Sequence, residues 1–323
     1  MKKIRIFETG WNGTPIVPMQ ENVGENDFWI KRDDMIPFSF GGNKARKACE
    51  FYRDIKEKNA DVIMTYGSNA SNHCRVIANM AYAMGLPCHV ISPEGHEEPL
   101  YNTKLVQQFG AKIEYCPITE VANTIEKRKK EYMQAGKLPY FIMGGGHGKL
   151  GTEAYVKVYQ EILAYEREEN IHFDYIFHAS GTGTTQAGLV CGKILNKDYE
   201  RKIVGISIAR EGDRGRQVVR ESIHEYLGSR FEELYREDDL VFVDDYRLGG
   251  YGESSLDEIK MIQKIMAQEG IPMDATYVGK AYYGMCCYIE EHGIKGKKIL
   301  FIHTGGTPLF FDSLNDDEYK RGK

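Results

Sequence analysis

The chain has 323 residues, is 42% hydrophobic and 28% charged, and carries a formal net charge of −5, which leaves room for a sizeable core in one large α/β domain or about two smaller ones. Its acidic balance, broken only by the short basic run Lys127-Arg128-Lys129-Lys130, argues against a nucleic-acid surface. No apolar window approaches the ~18 residues of a membrane span, no apolar stretch after Lys2, Lys3 and Arg5 makes a signal peptide, and the seven scattered cysteines form neither a CxxC pair nor a metal-ligand spacing, so the expectation is a cytoplasmic protein with reduced thiols, no membrane contact and no metal.

In chain order, the alternating stretch Phe28-Trp29-Ile30-Lys31-Arg32-Asp33-Asp34 leads to Gly41-Gly42-Asn43-Lys44-Ala45-Arg46-Lys47, which opens a helix-like run. Strand-length apolar runs follow at 62–66, 89–91, 112–115, 140–142, 175–178, 203–208 and 298–302, and helix-like runs at 72–84, 103–109, 119–135, 151–168 and 185–195. Alternation of this kind, with β-branched strands buried on both faces, predicts parallel sheets covered by helices. The first four of these runs suffice for a complete small sheet, and the series from 175 to 302 makes a second. The expected architecture is therefore two α/β lobes, a larger one from 1–48 and 161–323 and a smaller one inserted as 49–160. Ligands in such folds bind beyond the carboxyl ends of the strands, in the crevice between lobes.

Three segments carry chemistry. Lys44 follows a glycine bend and offers a primary amine; forming an imine needs it neutral, and burial or the nearby Arg46 and Lys47 would lower its pKa. The same segment is also compatible with a solvated basic helix N-terminus. Ser180-Gly181-Thr182-Gly183-Thr184-Thr185 joins a strand to a helix and offers backbone N–H groups, threonine hydroxyls and a helix N-terminus to a phosphate, although an ordinary tight βα turn reads alike. It is neither a Rossmann fingerprint, since Gln186 stands at the third glycine position, nor a P-loop. Gly67-Ser68-Asn69-Ala70-Ser71-Asn72-His73 makes a further anion cradle suited to a carboxylate, with an N-cap as its plainer role. A cofactor that needs an amine and a phosphate cradle at once is pyridoxal 5'-phosphate.

Together these segments, with Lys31-Arg32-Asp33-Asp34 and His303-Thr304-Gly305-Gly306-Thr307-Pro308, resemble the fold-type-II pyridoxal-phosphate enzymes, and within them the branch of D-cysteine desulfhydrase and 1-aminocyclopropane-1-carboxylate deaminase. The resemblance spans residues 30–311 and implies two three-layer lobes of the tryptophan synthase β type, a homodimer and a small amino-acid substrate. It implies that Lys44 binds the cofactor covalently and shuttles the substrate α-proton, that Asn72 lies beside the ring hydroxyl, and that Ser71 assists proton transfer or carboxylate binding. It implies further that Gly181, Thr182, Gly183, Thr184 and Thr185 hold the phosphate and that Tyr251 and Tyr277 are the two active-site tyrosines.

The chain departs from these relatives at two positions. Val278 stands where the cyclopropane deaminases carry a glutamate facing the pyridine nitrogen, and Thr304 offers a hydroxyl instead; Ala70 replaces the family glutamine before Ser71. A hydroxyl partner leaves the ring nitrogen largely neutral, which suits β-elimination better than opening a cyclopropane. The expected reaction is α,β-elimination on a small amino acid, giving pyruvate, ammonia and the β-substituent. The alternatives are a β-replacement synthase, a cysteate-type sulfo-lyase, a racemase, a cyclopropane-carboxylate deaminase or, in a different class, a non-catalytic phosphate- or nucleotide-binding protein.

Overall fold

A computed structural model describes residues 1–20, 23–95 and 98–314. The N-terminal part runs α1 (Arg5–Thr9), β1 (Ile16–Pro18), β2 (Asp27–Arg32) and α2 (Asn43–Glu57). Then follow β3 (Val62–Tyr66), α3 (Asn72–Met84), β4 (Cys88–Pro93), α4 (Tyr101–Gln108), β5 (Lys112–Cys116), α5 (Val121–Gln134) and β6 (Pro139–Ile142). The remainder is α6 (Lys149–Glu169), β7 (Tyr175–Ser180), α7 (Thr184–Leu195), β8 (Lys202–Ser207), α8 (Gly212–Leu227), α9 (Phe231–Leu234), β9 (Val241–Val243), α10 (Leu256–Glu269), α11 (Val278–Glu291), β10 (Lys298–His303) and α12 (Thr307–Ser313).

The strands form two sheets. One is six-stranded, ordered β1-β2-β10-β7-β8-β9, with only the edge strand β1 antiparallel; the other is four-stranded and parallel, ordered β5-β4-β3-β6. The period of two along each strand makes the larger sheet the middle of three layers. Phe28, Ile30, Phe177, Val204, Ile206, Ile299 and Phe301 join the apolar faces of α10 and α11, whereas Ile176, Ile203, Leu300 and Ile302 join those of α6, α7 and α8. In the smaller sheet Ile63, Val90 and Ile142 pack with α2 and α3, while Ile91 and Cys116 meet Ile125 of α5 on the other face. The α6–α7 contact is close because Gly188 lacks a side chain: a Cβ there would lie 2.4 Å from both Thr152 O and Tyr155 Cβ.

All seven expected strands are present, and the strand over 62–66 and the helix over 72–84 have the expected bounds. The expectation named neither β1 nor β9. Each is a three-residue edge strand, too short for a periodic signal, and β1 ends in Pro18, which an edge tolerates. Helices α8, α10 and α11 also carried no sequence expectation. In α8 the residues Val218, Val219, Ile223 and Leu227 form one buried apolar stripe.

A buried ion network ties the N-terminal strand to the helices. Arg46 of α2 donates to both oxygens of Asp33 (Nε–Oδ2 2.7 Å, Nη2–Oδ1 2.8 Å) and to both oxygens of Glu161 of α6 (2.7 and 2.8 Å). Lys31 Nζ reaches Glu161 at 2.7 Å, and Thr14 and Tyr155 hydroxyls each donate to Asp33 at 2.7 Å. Burial alone would push the Asp33 carboxyl up, yet the Arg46 guanidinium and Lys31 hold it below its ordinary value. Asp33 therefore contributes stability that is fully present above its ordinary 3.8 and is lost as pH falls through the lower folded value. Asp33→Asn removes one partner of a buried charge pair and is expected to cost about 3–5 kcal/mol by chemical denaturation at neutral pH, with this contribution to acid unfolding gone.

Candidate active site

The carboxyl ends of strands from both sheets converge on one cleft with a cavity volume of about 430 Å³, within the usual range for small-molecule sites. Its wall consists of the turns that leave the strands. Gly67, Ser68, Ser71, Asn72 and His73 follow β3; Gly144 and Gly145 follow β6; Gly181, Thr182, Gly183 and Thr185 follow β7; Ile208, Ala209 and Arg210 follow β8; Thr304 and Gly305 follow β10. Asn43 and Lys44 enter from the first turn of α2, and Tyr251 and Tyr277 complete the wall. Ten of the eleven residues expected at the site thus line one cavity. The exception is Thr184, whose buried hydroxyl turns toward Lys47.

The turn that delivers Lys44 is stitched to the turn after β10. Asn43 N donates to Thr304 O at 2.9 Å, and the two segments pass so closely that a Cβ on Gly42 (φ +86°) would lie 2.6 Å from that oxygen. Among the described residues the Lys44 amine has neither a hydrogen-bond nor an ion-pair partner, and burial pushes its pKa down to about 8. The expected help from Arg46 and Lys47 is corrected here: Arg46 points away, into the Asp33–Glu161 pair, and burial, not either neighbouring charge, is the cause of the shift. Helix geometry explains the divergence. Residues 44 and 47 are three apart and share a face of α2, whereas residue 46 is turned about 200° from residue 44.

Lys47 was not expected as a site residue. It is buried, its Nζ donates to Thr184 Oγ1 at 2.7 Å and approaches Gly145 O at 3.4 Å, and no carboxylate pairs with it among the described residues. Burial, and then the charge of Lys44, lower its pKa well below the ordinary value. A buried amine with no counter-charge, set at the N-terminus of α7 beside a glycine-threonine turn, has the character of one half of a phosphate site, because an arriving anion favours its protonated form. The i, i+3 spacing from Lys44 was the sequence signal for it. Arg210 was also missed. It follows β8, donates to Gly181 O and pairs with no carboxylate among the described residues.

Asn72 Oδ1 accepts from Arg75 Nη2 at 3.2 Å and from Asn102 Nδ2 at 3.0 Å, so its amide N–H2 is what remains to offer the cleft. Ser71 is the N-cap of α3, its Oγ accepting from Cys74 N at 3.2 Å; the hydroxyl proton stays free to donate. His73 is held neutral, chiefly by burial, and bonds Thr65 Oγ1 through Nε2 at 2.8 Å. Because Thr65 Oγ1 already donates to Ile142 O, His73 Nε2 is the donor of that pair. The Tyr251 and Tyr277 hydroxyls lie 2.5 Å apart, and Tyr251 also meets Ser68 Oγ at 3.2 Å. Burial raises the pKa of both phenols, so both stay protonated at neutral pH. Thr304 lines the cleft, while Val278 lies in the core between α10 and α11.

This donor set fits pyridoxal phosphate. It supplies an unpartnered amine, a second buried amine without a counter-charge at a cradle of N–H groups and hydroxyls, and an amide donor from Asn72. The cradle is also shaped for close approach: a Cβ on Gly145 (φ +71°) would sit 2.5 Å from the Thr182 side chain.

Comparison with known proteins agrees with the geometry. A Pyrococcus horikoshii protein named provisionally as a 1-aminocyclopropane-1-carboxylate deaminase is 35% identical over 87% of this chain and 84% of its own length. A D-cysteine desulfhydrase from Klebsiella pneumoniae is 31% identical over 91% of this chain and 90% of its own. A solved structure described as an ACC deaminase homologue superposes with a TM-score of 0.86 at 32% identity, covering 97% of this chain and 94% of the other. The pyridoxal-phosphate dependent enzyme family matches residues 7–305, and the chain belongs to that family.

Proposed function

We propose that the chain is a lyase of the D-cysteine desulfhydrase type, catalysing α,β-elimination on a small amino acid to give pyruvate, ammonia and the released β-substituent. The observation that carries this reading is the pairing of Thr304 in the cleft with Val278 in the core. A hydroxyl, not an acid, is then the group available to the ring nitrogen.

Bound pyridoxal phosphate supplies an electron sink for the charge left at the substrate Cα. In this reading Lys44, Lys47, Asn72, Thr304 and, from the turn after β7, Gly181, Thr182, Gly183 and Thr185 hold it, with Thr184 acting through Lys47. Lys44, released by the substrate amine, takes the proton from Cα as its amine becomes an ammonium. The electron pair of that bond passes toward Cβ, and the bond from Cβ to its substituent breaks with its pair leaving on the substituent. Tyr277 and Tyr251, kept protonated by burial, donate a hydrogen bond to the departing group. Ser71 and the N–H groups of its turn hold the substrate carboxylate. The released enamine hydrolyses to pyruvate and ammonia.

The lobe division at 48/49 and 160/161, a homodimer and a cytoplasmic location belong to the same reading. The division is supported by the split of the strands into two sheets, although α2 and α6 run across it. Among the described residues no helix is long and apolar enough to cross a membrane.

Lys44→Ala is expected to abolish turnover together with the ~410–430 nm absorbance of the bound cofactor; survival of both would refute the role of Lys44. In the cofactor-free protein, the rate at which Lys44 captures pyridoxal, which lacks the phosphate, should climb as pH rises through about 8, because the neutral amine is the reactive form. Lys47→Met should weaken pyridoxal-phosphate binding about 10- to 100-fold, the worth of a hydrogen bond to a charged group, and leave pyridoxal binding unchanged in an absorbance titration. Pyruvate release from D- or L-cysteine, cysteate and diaminopropionate names the leaving group, and silence on the whole panel argues against elimination.

A further inference from the structure

The loop that carries Tyr251 is anchored at its start, where Tyr246 OH donates to Glu291 of α11 at 2.6 Å and Arg247 Nε to Asp244 O at 3.2 Å, but the bend beyond Arg247 has little of its own to hold it. The loop joins β9 to α10, and Leu248, Gly249, Gly250 and Gly252 all have positive φ. Its internal backbone bonds are few, among them Gly250 N to Arg247 O at 3.1 Å and a long 3.4 Å contact from Glu253 N to Gly250 O. Tyr277, by contrast, stands on rigid ground. It is the N-cap of α11, where the Asp274 carboxylate accepts from the N–H groups of Thr276, Tyr277 and Val278 at 3.0, 2.8 and 3.3 Å. Two hydroxyls can keep a 2.5 Å separation only if something ties the loop to the helix.

Lys280 is one turn along α11 from Tyr277. Its side chain is fully buried, and its Nζ donates to two carbonyls of the tyrosine loop, Arg247 O at 2.9 Å and Gly250 O at 2.5 Å. It forms no salt bridge within contact distance among the described residues. The nearby Glu258 of α10 is buried, and among the described residues neither carboxyl oxygen is hydrogen-bonded; burial pushes its pKa up to about 8, and only in its ionised form does its field partly offset the burial of the ammonium. A buried charge without a direct partner is a poor way to stabilise a core. Charge-assisted bonds to two carbonyls flanking a flexible bend are, however, a strong way to fix that bend.

We propose that Lys280 is a positioning residue: its ammonium clamps the 247–250 bend to α11 and so sets Tyr251 in register with Tyr277 and the cleft. The clamp and Tyr277 project from one face of one helix turn, so the two phenols move as a unit with α11. The effect on turnover rests on the elimination reading above, whereas the effect on the loop does not.

Lys280→Met keeps the length and apolar stem of the side chain and removes its donors, and Lys280→Gln keeps a single neutral donor. Amide hydrogen exchange on the full-length protein loaded with pyridoxal phosphate is expected to quicken about tenfold or more across residues 247–253 in Lys280→Met, less in Lys280→Gln, with other segments unmoved. The cofactor absorbance should persist, because Lys44 is untouched, while kcat falls about tenfold. Tyr251→Phe should then cost much less in the Lys280→Met background than alone, since the clamp acts through that phenol. Unchanged exchange in 247–253 of either variant, or an equal cost of Tyr251→Phe in both backgrounds, overturns the inference; so does failure of both variants to fold, which would make Lys280 a stability residue only. A wild-type protein without elimination activity would refute the reaction and leave the exchange result to decide the clamp.

Discussion

The site depends on a charge buried on the far side of the helix that delivers it. Arg46 is gripped by Asp33 below β2 and by Glu161 on α6, so α2 can neither rotate nor slide without breaking four hydrogen bonds. Apolar packing would hold α2 with comparable strength but would tolerate small rotations. The fork of a guanidinium against two carboxylates does not tolerate them, because each bond has a direction. With Arg46 fixed, the 100° step of the helix leaves Lys44 and Lys47 no option but the cleft. The positions of the Lys44 amine and of Lys47 beside Thr184 are two consequences of one constraint.

The same alternation works upstream. In the run Lys31-Arg32-Asp33-Asp34, Lys31 and Asp33 enter the buried network, while Arg32 and Asp34 pair with each other at 2.7 Å. The motif that carries the family resemblance is thus two interleaved ion-pair systems that turn the chain from β2 into the glycine bend before α2. This explains why an acidic protein can keep a positive cleft. Lys44, Lys47 and Arg210 have no carboxylate partners there among the described residues, so the charge is available to an anionic ligand.

Much of this was legible in the sequence because the chemistry sits at strand ends. Apolar runs locate strands, the strands of parallel sheets deliver their following turns to one edge, and ten of eleven expected residues came from such turns, from the bend before α2 or from the two tyrosine segments. What was not legible depended on direction. Thr184 looks like its neighbours in a string of threonines, yet the first turn of α7 aims it at Lys47. Lys47 looks like surface charge beside Arg46, and nothing in composition separates a lysine bonded to a buried threonine from one in water. Tyr66, Gly144 and Gly145 reach the cleft from β3 and β6, and their approach is a property of strand order, which pairs β6 with β3 across a long stretch of chain. The edge strands failed for a different reason: three residues carry too little periodicity to read.

The choice between reactions comes down to where an acid is absent and where one has been kept away. Val278 is the first residue of α11 and faces the apolar layer between α10 and α11, so the position offers the cofactor ring neither charge nor donor. Asp274, four residues earlier, is an acid, but its oxygens are taken by the backbone N–H groups of the α11 N-terminus, and burial pushes its pKa up to about 7. That carboxyl builds the end of the helix instead of reaching the ring. Thr304 is left as the polar side chain of the β10 turn, and its backbone carbonyl is already engaged by Asn43. A ring nitrogen beside a hydroxyl stays mostly neutral and withdraws electrons weakly. On the elimination reading proposed above, charge arriving at Cα is then better relieved by expelling a β-substituent than by long residence in the ring, with the paired phenols of Tyr251 and Tyr277 in the same cleft.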